Sequence, residues 1–191
     1  MLIVDMNPHE YYRFDDIQIE KDLYHLLCCF LASPRLSELA IEDYEHRGND
    51  GVQVFNMYLN AFEKQKIQEL LVSIAVRLRM IDDRLNISNE KQITGETNDV
   101  GRLTKSTGKN EDKVLTFRDA CNKIIHAALI EYSSDKIELR GKRKAYLKAE
   151  LFLYDKFDKS GWKAKVDIIK FVKVGTHVCE LYDTRSYSSD T

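Results

Sequence analysis

Apolar residues recur at three- and four-residue intervals through the first half of the chain and at two-residue intervals through part of the second, and this change of period sets the expected architecture. Asp15 and Gln18 have the spacing of a helix N-cap and its capping-box partner. Leu23, Leu26, Leu27, Phe30 and Leu31 then keep helical spacing up to Ser33-Pro34, which predicts a first helix over 16–32. Ser33 can cap a second helix with Pro34 at its first position, carrying Leu36, Leu39, Ala40 and Tyr44 inward and stopping before Gly48. The longest seam, Phe55, Leu59, Phe62, Ile67, Leu70, Leu71, Ile74, Leu78, Ile81 and Leu85, predicts a helix over 52–86. At ~1.5 Å per residue such a helix reaches about 50 Å, enough for the spine of a bundle and for contact with a partner subunit.

From residue 87 to 113 the chain turns to Asn, Thr, Gly, Lys and Asp with few apolar positions, a composition that predicts a long mobile loop. Within it Gly101 to Gly108-Lys109 has only a distant likeness to a phosphate loop: the interval is too long, Asn110 stands where Ser or Thr is needed, and no strand precedes. A helical stretch from Phe117 to Ala127 follows. Leu147, Ala149, Leu151 and Leu153 then alternate with polar and aromatic neighbours, and Trp162, Ala164, Val166 and Ile168 do so beyond a turn at Asp158-Lys159-Ser160-Gly161. These predict an antiparallel hairpin over 144–169, with 136–139 as a possible third strand. Phe171, Val174, Val178 and Leu181 predict a short closing helix, bent or interrupted at Gly175, and residues 184–191 a flexible polar tail.

The fold class expected is therefore α+β, mainly α: a helical bundle with a long central helix and a small C-terminal antiparallel sheet or hairpin, in one domain over 1–183. A chain of 191 residues, 43% hydrophobic and 31% charged, can bury a core of its own. Net charge of −2 leaves no global nucleic-acid footprint, so RNA contact would rest on a local patch. Met1-Leu2-Ile3-Val4-Asp5 lacks a basic leader region and no apolar run approaches the ~20 residues of a membrane span, which predicts a cytoplasmic protein without membrane association. Cys28, Cys29, Cys121 and Cys179 have no zinc-ligand spacing and read as small buried hydrophobes. No metal or cofactor is expected.

The candidate chemistry lies in Phe117–Ala127. At ~100° per residue, with Arg118 at 0°, Asn122 falls near 40° and His126 near 80°, while Cys121, Ile124, Ile125 and Ala128 fall at roughly 240–340°. A cation, an amide and an imidazole thus border one apolar face, with Asp119 and Lys123 as an i,i+4 pair beside them. The plain reading of that border is a structural rim where long side chains snorkel to water. The segment also resembles the signature helix of the HEPN superfamily, in which an arginine, often with a polar residue between, precedes a histidine on a late helix of a small bundle. The interval departs from the family pattern, because seven residues separate Arg118 from His126 where four to six are usual.

The resemblance implies metal-independent RNA cleavage at a composite site of two protomers, hence a homodimer. His126 would take either proton role at the 2′-hydroxyl or the leaving oxygen, Arg118 would hold the phosphate, and Asn122 would orient the imidazole or bond a nonbridging oxygen. It also implies a toxin–antitoxin or phage-defence setting, with a cognate antitoxin or nucleotidyltransferase as partner. The alternative is a non-catalytic binding or regulatory module, an immunity- or antitoxin-like partner, whose mark would be a His126 locked in internal hydrogen bonds.

Arg140-Gly141-Lys142-Arg143-Lys144 is the densest positive cluster and the candidate RNA-binding segment, with Tyr146, Phe152 and Tyr154 near enough to stack on bases. The plain reading is a solvated hairpin tip whose lysines discourage edge pairing. Asp82 and Asp83 read as surface salt links to Arg79 and Arg84, since helix neighbours point about 100° apart. His9, His25, His46 and His177 read as surface or boundary histidines.

Overall fold

A proline lacks the N–H that continues a helix, yet α1 (Asp16–Arg47) passes through Pro34 as one helix. The structure, a computed structural model, describes residues 16–47, 54–86, 98–105, 112–159 and 161–188. The two helices expected on either side of Pro34 are thus corrected to one. Packing explains it: Ile19, Leu23, Leu26 and Phe30 before the proline and Ser33, Ser37, Ala40 and Ile41 around and after it are all buried. That continuous inward face outweighs the ~3 kcal/mol an interior proline costs. Ser33 is not an N-cap. Its hydroxyl oxygen accepts the Leu147 N–H at 2.8 Å, and Ser37 donates to the Ala145 carbonyl at 2.9 Å.

The long helix is present over residues 54–85, in three parts: α2 (Val54–Met57), a π-helical segment (Tyr58–Phe62) and α3 (Glu63–Leu85). The Glu63 N–H bonds back to the Tyr58 carbonyl, closing the wider π turn and shifting the phase of the apolar seam. Leu59 stays buried while Phe62 turns outward, so the inward assignment of Phe62 is corrected. From Ile67 to Ile81 the seam is buried as its period demands. Asn86 ends α3 in the left-handed region at φ 55°, a conformation asparagine tolerates.

The larger correction is the sheet. A bundle with a small hairpin does not describe this chain, because β1 (Asp99–Lys105), β2 (Asp112–Thr116), β3 (Leu129–Leu139), β4 (Lys142–Tyr154) and β5 (Trp162–Asp167) form one five-stranded antiparallel sheet in the order β2-β1-β5-β4-β3. β1 and the first two residues of β2 lie inside the segment read as a loop, of which 87–97 and 106–111 fall outside the described residues. Val100, Leu103 and Leu115 are few, but all are buried. β1 also sits between β2 and β5, so ladder bonds on both sides satisfy its backbone where side-chain area is scarce.

The hairpin of β4 and β5 has the alternation read from the sequence, with Leu151 opposite Val166 and Leu153 opposite Ala164 on the inner face. Helix α4 (Phe117–His126) connects β2 to β3, and α5 (Ile168–Ser188) follows β5. One core joins the inner face of the sheet to α1, α3, α4 and α5, with the Phe117 and Phe171 rings 5.4 Å apart between α4 and α5. α5 runs without interruption through Gly175 and on to Ser188, which corrects the break expected at Gly175 and the tail expected from 184; 189–191 lie outside the described residues. A Cβ at Gly175 would stand 3.1 Å from methyls of both Leu23 and Leu78, so glycine lets α5 close on α1 and α3. No helix among the described residues is long and apolar enough to cross a membrane.

Gly101 lies at the irregularity in β1–β2 pairing, and a Cβ there would run into the backbone carbonyl of Lys165. Gly101→Ala should therefore lower unfolding free energy by more than about 1 kcal/mol, read from urea denaturation. An unchanged midpoint would mean that β1 does not hold this register.

Candidate functional site

Helix α4 starts where β2 ends. The Thr116 hydroxyl caps it, accepting the Asp119 N–H at 3.2 Å and donating to the Asp119 carboxylate at 2.9 Å. Phe117, Ala120, Cys121 and Ile124 then fall on the buried side. This leaves Arg118 and Asn122 half-buried along the contact with α3, and His126 exposed as the last helical residue.

The contact between α3 and α4 is a network of opposite charges. Arg118 reaches two carboxylates at once: one nitrogen bonds Asp82, and the other lies 2.6 Å from Asp83. Arg79, one turn earlier on α3, pairs with Asp83 and donates to the Asn122 side-chain oxygen at 2.9 Å. Its guanidinium also stands 4.0 Å from Asp82. The carboxylates are not equivalent: the side chain of Asp82 is 3% exposed, that of Asp83 51%. The surface assignment of Asp82 is corrected accordingly, since α4 covers it. At Asp83 the hydrogen bond from Arg79, opposed by desolvation and reinforced by Arg118, holds the carboxyl below its ordinary range.

The three residues expected to act together are thus divided. Arg118 and Asn122 belong to the network, whereas the His126 side chain makes no hydrogen bond or ion pair among the described residues. Asp119 and Lys123 do not complete the stripe as a pair: Asp119 serves the Thr116 cap, and the Lys123 ammonium lies over the Trp162 ring, 4.2 Å from its centroid. Arg79 and Asp82 are the residues the pattern along the chain undervalued. Their i,i+3 spacing marked a pair, but nothing local shows that another helix closes over it.

The positive cluster at the tip of the β3–β4 hairpin is also engaged internally. Arg140 lies 2.7 Å from Glu45, Lys142 sits over the Tyr44 ring and 4.0 Å from Glu45, Arg143 lies 2.7 Å from Glu138, and Lys144 bonds Asn56. The contacts of Arg140, Lys142 and Lys144 dock the hairpin on α1 and α2, while Arg143–Glu138 joins its two strands. The stacking expected of Tyr154 meets a ring only 6% exposed, whose hydroxyl donates to Glu131 at 3.0 Å. Phe152 is capped by Lys163, 4.4 Å from the ring centroid. Cys121 and Cys179 are buried, Cys28 and Cys29 half-buried, and burial pushes the Cys121 thiol up. Among the described residues no group of three or more His, Cys, Asp or Glu could hold a metal ion. His25 is exposed against Tyr24, and His177 is exposed with Glu180 at 3.2 Å. His9 and the His46 side chain lie outside the description.

Arg118→Ala would leave Asp82 buried without the cation that α4 supplies. The unfolding free energy should fall by on the order of 3 kcal/mol in chemical denaturation. His126→Ala, at an exposed helix end, should change it by less than about 0.5 kcal/mol. Equal effects would show that the network does not secure α4.

No family model matches the sequence, and comparison with curated proteins and with solved structures likewise finds no match.

Proposed function

We propose that this chain is a non-catalytic interaction module, an immunity- or antitoxin-like regulatory partner. The observation that carries the reading is the commitment of Arg118 to Asp82 and Asp83. To hold a phosphate bidentately, the guanidinium would have to abandon a carboxylate that is almost fully buried. Breaking such a pair from one side costs typically ~3–5 kcal/mol. Asn122, the residue suited to orient an imidazole, is drawn toward Arg79 on α3. The hairpin cations Arg140, Lys142, Arg143 and Lys144 also have partners within the chain, but Arg140 and Arg143 stay 65% and 70% exposed, and surface pairs of that kind do not weigh against a phosphate contact.

A HEPN-type ribonuclease is the second reading, and one observation favours it. His126 is exposed and unengaged among the described residues, contrary to the locked histidine expected of a pure binding module. Catalysis would then need a second copy to supply the other proton role, so assembly separates the readings. Light scattering at about twice the 22.3 kDa chain mass would be required by the composite site.

The deciding assay incubates purified protein with a mixed RNA pool in chelator and compares wild type with His126→Ala. The interaction module predicts the same background from both. Products ending in 2′,3′-cyclic phosphate that fall by at least ~10²-fold in the variant would overturn it and establish the nuclease.

A further inference from the structure

Strand β5 ends at Asp167, opposite Glu150, so from Lys142 to Leu147 strand β4 pairs with β3 and with no third strand among the described residues. β3 is itself an edge of the sheet. Residues 134–139 and 142–147 therefore make a two-stranded arm beyond the five-stranded body, closed by a two-residue turn. That turn holds Arg140 and Gly141 both in the left-handed region, at φ 51° and 76°, where asparagine, aspartate and glycine are the preferred residues. An arginine stands at its first position instead.

Burial alternates along the arm. Ile137, Leu139, Lys142, Lys144 and Tyr146 are half-buried on the side that meets α1 and α2, whereas Lys136, Glu138, Arg143 and Ala145 are exposed on the other. The opposed pairs Lys136–Ala145 and Glu138–Arg143 cross this open side, with Arg140 at the tip. Arg143 lies 2.7 Å from Glu138 and Arg140 2.7 Å from Glu45, yet their side chains stay 70% and 65% exposed. Exposed pairs of that kind are weak, so a phosphate can take over either guanidinium. Lys142, 4.0 Å from Glu45, is steadied by the Tyr44 ring, which leaves its charge in place. In a chain whose net charge is −2, Lys136, Arg140, Lys142, Arg143 and Lys144 here outnumber Glu45, Asp135 and Glu138.

We propose that this arm is a docking site for duplex DNA, laid by its open side in the major groove with Lys136, Arg140 and Arg143 on the flanking phosphates. The local excess of cations complements a phosphate backbone. A single strand is disfavoured, because unpaired bases need rings to stack on and Tyr146, the arm's aromatic residue, shares the helix side. Two strands about 4.8 Å apart fit a B-form major groove about 12 Å wide, whereas the major groove of an RNA duplex is too narrow for side chains to read. The arm and the Arg118, Asn122 and His126 rim lie on different elements, so this site does not depend on how α4 is read.

The test is fluorescence anisotropy of a short labelled DNA duplex titrated with the full chain, with the single strand, the matching RNA duplex and polyglutamate as competitors. Three phosphate contacts predict an affinity that falls roughly 40-fold between about 50 and about 200 mM salt. Arg143→Ala should weaken binding and flatten the logarithmic salt slope by about 1. Glu138→Gln should tighten binding, since it removes the carboxylate that competes for Arg143. Both side chains are exposed, so circular dichroism and the urea midpoint of each variant should match wild type. No binding to the duplex at low salt, or unchanged affinity in Arg143→Ala, would overturn the proposal. So would a single strand or RNA duplex that binds more tightly, or polyglutamate that competes as well as DNA, the mark of a surface for acidic proteins.

Discussion

Asp82 is a carboxylate taken almost wholly out of water, and such a charge persists in a fold only where cations stand against it. Arg79 supplies one from the same helix; Arg118 supplies the other and must come from α4. Satisfying one buried acid therefore fixes how α4 lies on α3. Helix α4 in turn spans the interval between β2 and β3, so its seat decides where β3 begins. The same constraint limits the chemistry: an arginine recruited to neutralise a buried acid is not free to grip a substrate phosphate without exposing the fold to that acid's cost. Arg79, bonded to Asn122, carries the constraint one helical turn further along α4.

The second organising contact joins α1 to the hairpin. Ser33 and Ser37, one turn apart, bond the backbone of β4 at Leu147 and Ala145, on the far side of the slip in its pairing with β3. Buried backbone polar groups need partners, and where the ladder fails to provide one a serine does so. The hairpin tip beyond is held by Arg140, Lys142 and Lys144 against Glu45, Tyr44 and Asn56. Three cations of the cluster thereby contact α1 and α2.

Much of the helical content was legible in the sequence because it depends on local period: the seam from Ile67 to Ile81, the short helix from Phe117 and the alternation that pairs β4 with β5 all follow from spacing alone. So did the grouping of Arg118 and Asn122 on one face of α4. Other features had misleading local signals. Ser33-Pro34 has the form of a helix start, but a buried face that continues on both sides overrides it. Gly175 has the form of a break, but it is a place where three helices close together.

What only the tertiary structure decided is the set of partners. β1 and β2 contain too few apolar residues to declare themselves, and become strands because β5 offers β1 a backbone ladder from far along the chain. Asp82 and Arg118 are each ordinary surface residues by spacing, and become a buried pair because α4 covers α3. Periodicity reports which face of an element turns inward, since that is fixed by the 3.6- or 2-residue repeat of its own backbone. It carries no information about what is packed against that face, which is where Arg118, Asn122 and most of the hairpin cations find their partners.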